Sequence, residues 1–391
     1  MNTSTASTAT GPLKGTRIVE FAGVGPGPFC AMLLADMGAE VISLDRTSAH
    51  GLGFKKETRF NPINRNRPSL SVDLKSQEGR DVALRLLGSA DALIEGFRPG
   101  VMERLGLSPE ACWKVNPRLV FGRMTGWGQE GPMANAVGHD LNYLAVSGLL
   151  PLLGARDRKP AIPLNVVGDF GGGGLYLALG IVSAILEAKA SGKGQVVDAA
   201  MVDGVASLMT NHFGYAASGN WVNERESNVI DGGAPWYGIY ETSDGKYISV
   251  APVEHKFYVQ LLDGMGLDPA QLPDTSDRSA WPQVREKFAA VFRTKTRDAW
   301  CTVMENREAC FAPVLNLDEA MKHPHALARN SYMDVDGVMQ PAPAPRFSRT
   351  PSGVSRPAPT PGGNTTEVMA AWGFAPAEIA DLKSRGVVAQ A

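Results

Sequence analysis

The sequence predicts a wound α/β sheet with parallel strands over about the first half of the chain, followed by a smaller α+β domain. Two observations carry this reading. Short β-branched runs alternate with helical stretches between residues 16 and 124, the pattern of a parallel sheet crossed by helices. From Trp221 the texture changes to a hairpin and separate helical segments.

Residues 16–23 (TRIVEFAG) form a β-branched run closed by glycine, a buried-strand signal. Residues 26–37 read as a helix stopped by Gly38, and 40–45 (EVISLD) as the second strand. Residues 80–87 are helical, 92–94 and 119–124 extended, and 141–150 an apolar helix. A long apolar helix at 175–187 is broken by Gly192-Lys193-Gly194, after which 196–202 resume as a strand and 204–215 as a helix. Residues 237–242 and 246–250 pair as a hairpin, because Asp244-Gly245 supplies the turn. Helices follow near 256–265, 281–292 and 296–306. The proline-rich stretch 340–363 is extended and partly polyproline II. Short amphipathic helices at 365–372 and 376–385 make it a strap leading back to the body. The expected organisation is a flexible tail (1–11), a large α/β domain (12–190), a linking strand and helix (191–224), a small α+β domain (225–330), and the strap with its helices (331–391).

Composition narrows the partners. Apolar residues are 44% and charged residues 20%, a globular profile. Lys+Arg 38 against Asp+Glu 40 leaves a net charge of −2, which argues against nucleic acid and anionic membrane. No apolar run approaches the ~18 residues of a membrane span. Cys30, Cys112, Cys301 and Cys310 are widely spaced and make no metal-ligand pattern, as expected in a reducing compartment. No targeting segment is recognisable, so cytoplasmic residence is expected.

The stretch Gly23-Val24-Gly25-Pro26-Gly27-Pro28, with Asp45 about twenty residues on, imitates a dinucleotide fingerprint. Pro28 stands where the third glycine belongs, and two prolines remove N–H groups that would face a pyrophosphate. Nicotinamide binding is therefore not expected. Arg46 closes the second strand at the crevice end of the sheet. With Arg65, Arg67, Lys75 and Arg98 it makes a set of cations suited to a small phosphorylated ligand.

Three segments look chemical. His139, in Gly138-His139-Asp140-Leu141-Asn142-Tyr143, begins an apolar helix, where an imidazole serves as a base or merely as a cap. Asp169 precedes four glycines (171–174) and a long helix. Capping alone does not need four glycines, each costly in conformational entropy. They suit a backbone approached closely by a ligand, with N–H groups offered to an oxyanion. Glu241, on the hairpin, carries little weight alone. Asp231-Gly232-Gly233 reads as a loop, and His323-Pro324-His325 lacks metal partners.

Several long stretches in order, GPLKGTRIVEFAGVGPGPF, EGFRPGVMERLGL, TGWGQEGP, GHDLNY, GDFGGG, GKGQVVDAAMVDG and DGGAPWY, resemble the family III (CaiB/BaiF-like) CoA-transferase superfamily. Within it they are most similar to the racemases of α-methylacyl-CoA thioesters. The likeness implies the family III fold, a Rossmann-like large domain with a smaller α+β domain, in an interlocked homodimer. It implies an isomerase that interconverts (R)- and (S)-2-methylacyl-CoA by two-base 1,1-proton transfer through an enolate. His139 and Asp169 match the two acid/base groups, and Glu241 the small-domain glutamate that pairs with the histidine. Tyr143, Asn165 and Gly171 match supporting positions. CoA contacts fall on Arg46, on Val72, Asp73, Leu74 and Lys75, on Gly96, Phe97 and Arg98, and on Gly138, His139, Asp140, Leu141, Asn142 and Tyr143. CoA arrives as part of the substrate, and no separate cofactor or metal is implied. The alternative is CoA transfer, with Asp169 as nucleophile forming an aspartyl–CoA anhydride; the histidine favours the racemase. A noncatalytic acyl-CoA-binding protein is more remote, having no use for His139 and Glu241.

Overall fold

In the computed structural model residues 10–48 and 56–391 are described; the expected tail lies outside them except for Thr10 and Gly11. β1 (Arg17–Phe21), β2 (Glu40–Asp45), β3 (Ser69–Val72), β4 (Ala92–Glu95), β5 (Val120–Thr125) and β6 (Val196–Ala200) pair in parallel, in the order β3-β2-β1-β4-β5-β6. Their crossovers are α1 (Pro26–Asp36), α2 (Gln77–Leu87), α3 (Val101–Arg104), α4 (Pro109–Val115), α5 (Asp140–Val146) and α6 (Tyr176–Ser191); α7 (Met201–Leu208) follows β6. Pro26 and Pro28 occupy the first turn of α1, the helix-initiating role. Ser76 and Ser108 cap α2 and α4 by accepting from Gly79 N and Ala111 N. Side chains alternate across the sheet: Val19 and Phe21 pack with Val82, Leu86 and Cys112, while Ile18 packs with Leu34 and Ile181. Both faces are thus covered, as a parallel sheet requires.

β3 has a serine at every second position, so its sequence carries no strand signal. Tertiary partners supply what propensity lacks: the Ser69 hydroxyl donates to Asp45 Oδ2 at 2.6 Å and that of Ser71 to the Arg46 carbonyl at 3.2 Å. Two of the expected phosphate-binding cations are also spent inside the fold. Arg65 is buried against Asp36 at 2.6 Å, and Arg67 against Glu20 at 2.5 Å. Those arginines hold α1 and β1 to the chain that leads into β3, and neither faces a ligand crevice.

A π-helical segment, Val166–Leu175, runs without a break into α6. Contrary to the sequence expectation, the continuous stretch Val166–Ser191 is long and apolar enough to cross a membrane, by length and composition only, with a mean hydropathy of 1.5. The glycines extend the helix instead of interrupting it. Leu177, Ile181 and Ile185 lie in the core with Val120 and Met124 of β5.

The chain divides into two units, one of residues 1–147, 164–208 and 327–391, the other of 148–163 and 209–326. The expected helix at 204–215 is two helices, α7 and α8 (Thr210–Ala217), broken at Met209, where the second unit begins. Residues 148–163, read from sequence as part of the large domain, belong to this second unit. Arg225 holds them by donating to the carbonyls of Pro151, Ala155 and Arg158. β7 (Gly238–Glu241), β8 (Tyr247–Val250) and β9 (Phe311–Pro313) form its antiparallel sheet. α9 (His255–Met265), α10 (Trp281–Phe292) and α11 (Arg297–Met304) surround a core of Trp236, Tyr240, Phe288, Phe292 and Trp300. The short helices α12 (Leu317–Lys322) and α13 (Pro324–Ala328) follow.

The remaining chain returns to the first unit. β10 (Tyr332–Val335) and β11 (Val338–Pro341) make a hairpin, and the proline-rich strap then runs past Asn66, which bonds Gly353, Ser355 and Arg356. α14 (Thr365–Ala371) and α15 (Pro376–Ser384) bury Val368, Met369, Trp372 and Ile379 in the core on the α2 side of the sheet. β12 (Val388–Ala389) joins β3 as an antiparallel edge strand.

Candidate active site

Asp169 is the fourth residue of a segment whose backbone is wound wider than an α-helix, a distortion frequent at functional sites. Its carboxylate is half-buried and accepts from Asn165 Nδ2 at 3.0 Å. Its backbone N–H donates to Asp140 Oδ1 at 2.7 Å, and the Gly168 N–H donates to the same carboxylate. Asp140 follows His139 directly, at the start of α5, and is buried. One side chain therefore fixes the segment carrying Asp169 to the turn carrying His139.

The charges are coupled. Burial pushes the Asp169 carboxyl up, and Asp140 raises it further; the Asn165 hydrogen bond and the His139 charge pull it back. Burial likewise raises Asp140, against its two backbone hydrogen bonds. His139 is exposed, with extended backbone, and its N–H donates to Asn142 Oδ1 at 3.0 Å. The Asn142 N–H in turn donates to the His139 carbonyl at 2.8 Å, so the two residues close the first turn of α5 reciprocally.

Tyr143 is buried edge-to-face on Trp127, ring centroids 4.8 Å apart, and its hydroxyl donates to the Gly138 carbonyl. Burial, with Asp169 and Asp140 nearby, pushes that hydroxyl up to about 12. Gly138 is glycine for a packing reason: a Cβ there would lie 2.8 Å from the tyrosine ring.

Two sequence expectations need correction. The N–H groups of Gly168 and Asp169 are taken by Asp140, so they are withdrawn from any oxyanion role. The glycine run serves close packing: a Cβ on Gly172 would meet Val205 at 2.8 Å, one on Gly173 Met201 at 2.8 Å, and one on Gly174 Phe29 at 2.7 Å. Only Gly171 of the four is not buried. Sequence reasoning also missed Gly25. It has φ 72°, and a Cβ on it would stand 3.4 Å from Asp169 Oδ2, so this loop walls the carboxylate. The Gly/Pro stretch that imitates a dinucleotide fingerprint was the signal.

The residues implied in CoA contact occupy the carboxyl ends of neighbouring strands, where wound sheets bind ligands. Arg46 is exposed at the end of β2, Lys75 exposed beyond β3, and Gly96 and Arg98 exposed beyond β4. Asp73 accepts from the Lys75 N–H at 3.0 Å. Leu74 and Phe97 pack on the core, and Val72 is buried within β3. Leu141 is exposed on α5.

In the second unit, Glu241 lies 3.6 Å from Arg293. That ion pair competes with the imidazole pairing the resemblance implies. Glu254, at the start of α9, is exposed, and its carbonyl accepts from the Phe257 and Tyr258 N–H groups. The same unit carries an open cavity of about 650 Å³ lined by Leu149, Leu152, Trp221 and Ile239 together with Glu226, Asp231 and Arg285.

The chain matches CoA-transferase family III over residues 13–365 and belongs to that family. Over 378 residues it is 43% identical to an alpha-methylacyl-CoA racemase of Mus musculus, covering 96% of this chain and 97% of that protein. It is 40% identical to the Homo sapiens protein of the same name, with the same coverage. Among solved structures it resembles a CAIB/BAIF family protein from Brucella suis, 26% identical, with a TM-score of 0.80 over 93% of this chain and 100% of that one.

Proposed function

We propose that this enzyme interconverts (R)- and (S)-2-methylacyl-CoA thioesters by two-base proton transfer. The observation that carries it is Asp140, whose carboxylate joins the His139 turn to the Asp169 backbone. A transferase needs only the aspartate as nucleophile. A two-base isomerase needs a second base on the opposite face of the reacting carbon. In one direction His139 takes the α-proton and protonated Asp169 returns one to the opposite face; the reverse direction exchanges the roles. Burial raises the Asp169 carboxyl, a shift toward its protonated form. The names of the mouse and human relatives support the same chemistry.

Arg46, Lys75 and Arg98, exposed at the carboxyl ends of β2, β3 and β4, pair with the CoA phosphates. Glu241 is the carboxylate that the family resemblance implies as the partner of the imidazole. CoA enters as part of the substrate, and the proton transfers require only side chains. A second copy of the chain covers the apolar row Leu164, Val166, Leu175, Leu179 and Leu186, each at least half exposed. Cytoplasmic residence rests on four unpaired cysteines.

Incubation of (R)- or (S)-2-methylacyl-CoA in D₂O is expected to give α-deuteration and convergence on both epimers. His139→Ala and Asp169→Ala each abolish it. CoA moving to an added carboxylate without α-exchange would replace this reading with the transferase.

A further inference from the structure

Glu95 is a buried carboxylate that the proposed chemistry does not use. It ends β4, directly before the loop from which Arg98 is exposed. Its Oε2 accepts from the Phe97 N–H at 2.7 Å, and the Phe97 ring packs edge-on against Phe21 with centroids 6.2 Å apart. On the other side Pro99 disfavours helical backbone at Arg98. Arg98 is thus held between two constrained neighbours.

Behind this loop stands Arg123 of β5. Its Nε lies 3.5 Å from Glu95 Oε1, enclosed and without a hydrogen-bond partner, while its outer nitrogens donate to Gln129 Oε1 at 2.8 Å and to Glu103 of α3. Glu95 precedes the loop and Glu103 follows it, so one guanidinium grips both flanks. The other charge facing Glu95 is Asp198 of β6, which accepts from the Gln129 N–H. Burial pushes the Glu95 carboxyl up to about 7 against the Phe97 N–H and Arg123, with Glu103 and Asp198 adding to the shift. A loop N–H flanked by exposed Gly96 and Arg98 can be satisfied by water, and a buried carboxylate with a raised pKa costs stability. Closing the loop therefore does not explain the charge; aiming its cation does.

We infer that Glu95 is a positioning residue for CoA: its carboxylate, braced by Arg123, holds the Phe97 backbone and so aims the Arg98 guanidinium at a phosphate of the ligand. This rests on the pairing of Arg98 with CoA proposed above. A protonated carboxyl or an amide still accepts from the Phe97 N–H, but it loses the attraction of Arg123, and a hydrogen bond to a charged acceptor is roughly twice as strong as a neutral one. The loop then loosens, and its cation is less often in place.

CoA affinity is measured by calorimetry at about pH 6 and about pH 8, either side of the Glu95 titration, for wild type, Glu95→Gln, Arg98→Ala and the double variant. The titration of CoA itself is common to all four proteins and cancels in their ratios. With an advantage of about tenfold for the ionised form, Glu95→Gln is expected to weaken binding about ninefold at the higher pH and about twofold at the lower, where wild type is itself mostly protonated. Removing a buried charge leaves thermal unfolding at the higher pH unchanged or raised, so weaker binding then comes from an equally stable protein. Arg98→Ala is expected to weaken binding, and the double variant to bind no worse than Arg98→Ala alone, because Glu95 acts through that side chain. A Glu95→Gln effect equal at both pH values, one under about twofold at the higher pH, or full additivity with Arg98→Ala overturns the inference. Arg98→Ala binding like wild type overturns it together with the CoA pairing of Arg98. α-Deuterium exchange on 2-methylacyl-CoA reports separately on the racemase: its absence would sink that reading and leave the binding result standing.

Discussion

Replacing Asp140 by asparagine tests how the site is held. The carboxylate receives two backbone N–H donors, those of Gly168 and Asp169, the latter at 2.7 Å. An asparagine oxygen can keep one of them, but its NH₂ then faces the other donor. A hydrogen bond to a charged group contributes about 1.5–3 kcal/mol. If that loss appears as misplacement of Asp169 in the transition state, kcat falls roughly ten- to hundredfold. The side chain is nearly isosteric, so the sheet should survive, and thermal unfolding checks this. A second readout follows from the charge. Asp140 helps raise the Asp169 carboxyl, so its removal moves the Asp169 limb of the kcat–pH profile to lower pH. The assay is α-proton exchange in D₂O across pH. An exchange rate within about twofold of wild type, with the limb unmoved, would refute the coupling.

Three further outcomes are expected. In Gly204→Ala the new Cβ would stand 1.8 Å from the Gly172 carbonyl oxygen, so denaturant unfolding should show a loss of about 3 kcal/mol or more. Glu95 is buried, which pushes its carboxyl up to about 7 against the Phe97 N–H and Arg123. Because its folded pKa exceeds the unfolded value, the folded state binds more protons between about pH 4.5 and 7, and stability falls as pH rises through that window. Glu95→Gln should flatten that fall, by up to about 3 kcal/mol, in unfolding curves measured at each pH. Finally, Glu241→Gln should reduce exchange about tenfold with thermal unfolding unchanged, and an exchange rate within about twofold of wild type would remove Glu241 from the proposed chemistry.

The parallel strands were legible because their apolar runs are buried on both faces, and 40–45 coincides with β2. β3 was not, since its serines become strand residues only through Asp45 and the Arg46 carbonyl. Asp169 was legible from the glycine run beside it and His139 only through the family resemblance, while the part played by Asp140 required the fold, which brings positions 140 and 169 together. The glycine run announced a close approach correctly and its partner wrongly, because backbone meeting helix and backbone meeting ligand ask for the same residue. Arg65 and Arg67 show the same ambiguity for charge: only burial against Asp36 and Glu20 separates a brace from a binding cation.

The pairing of Val388 with Val72 has a consequence for biogenesis. The flank of β3 is covered only when residues near 388 arrive, long after the strands beside it can assemble. A growing polypeptide would meanwhile present an unpaired strand edge, an invitation to intermolecular pairing. Synthesis rate and chaperone supply should therefore govern the yield of active protein more strongly than the stability of the finished sheet.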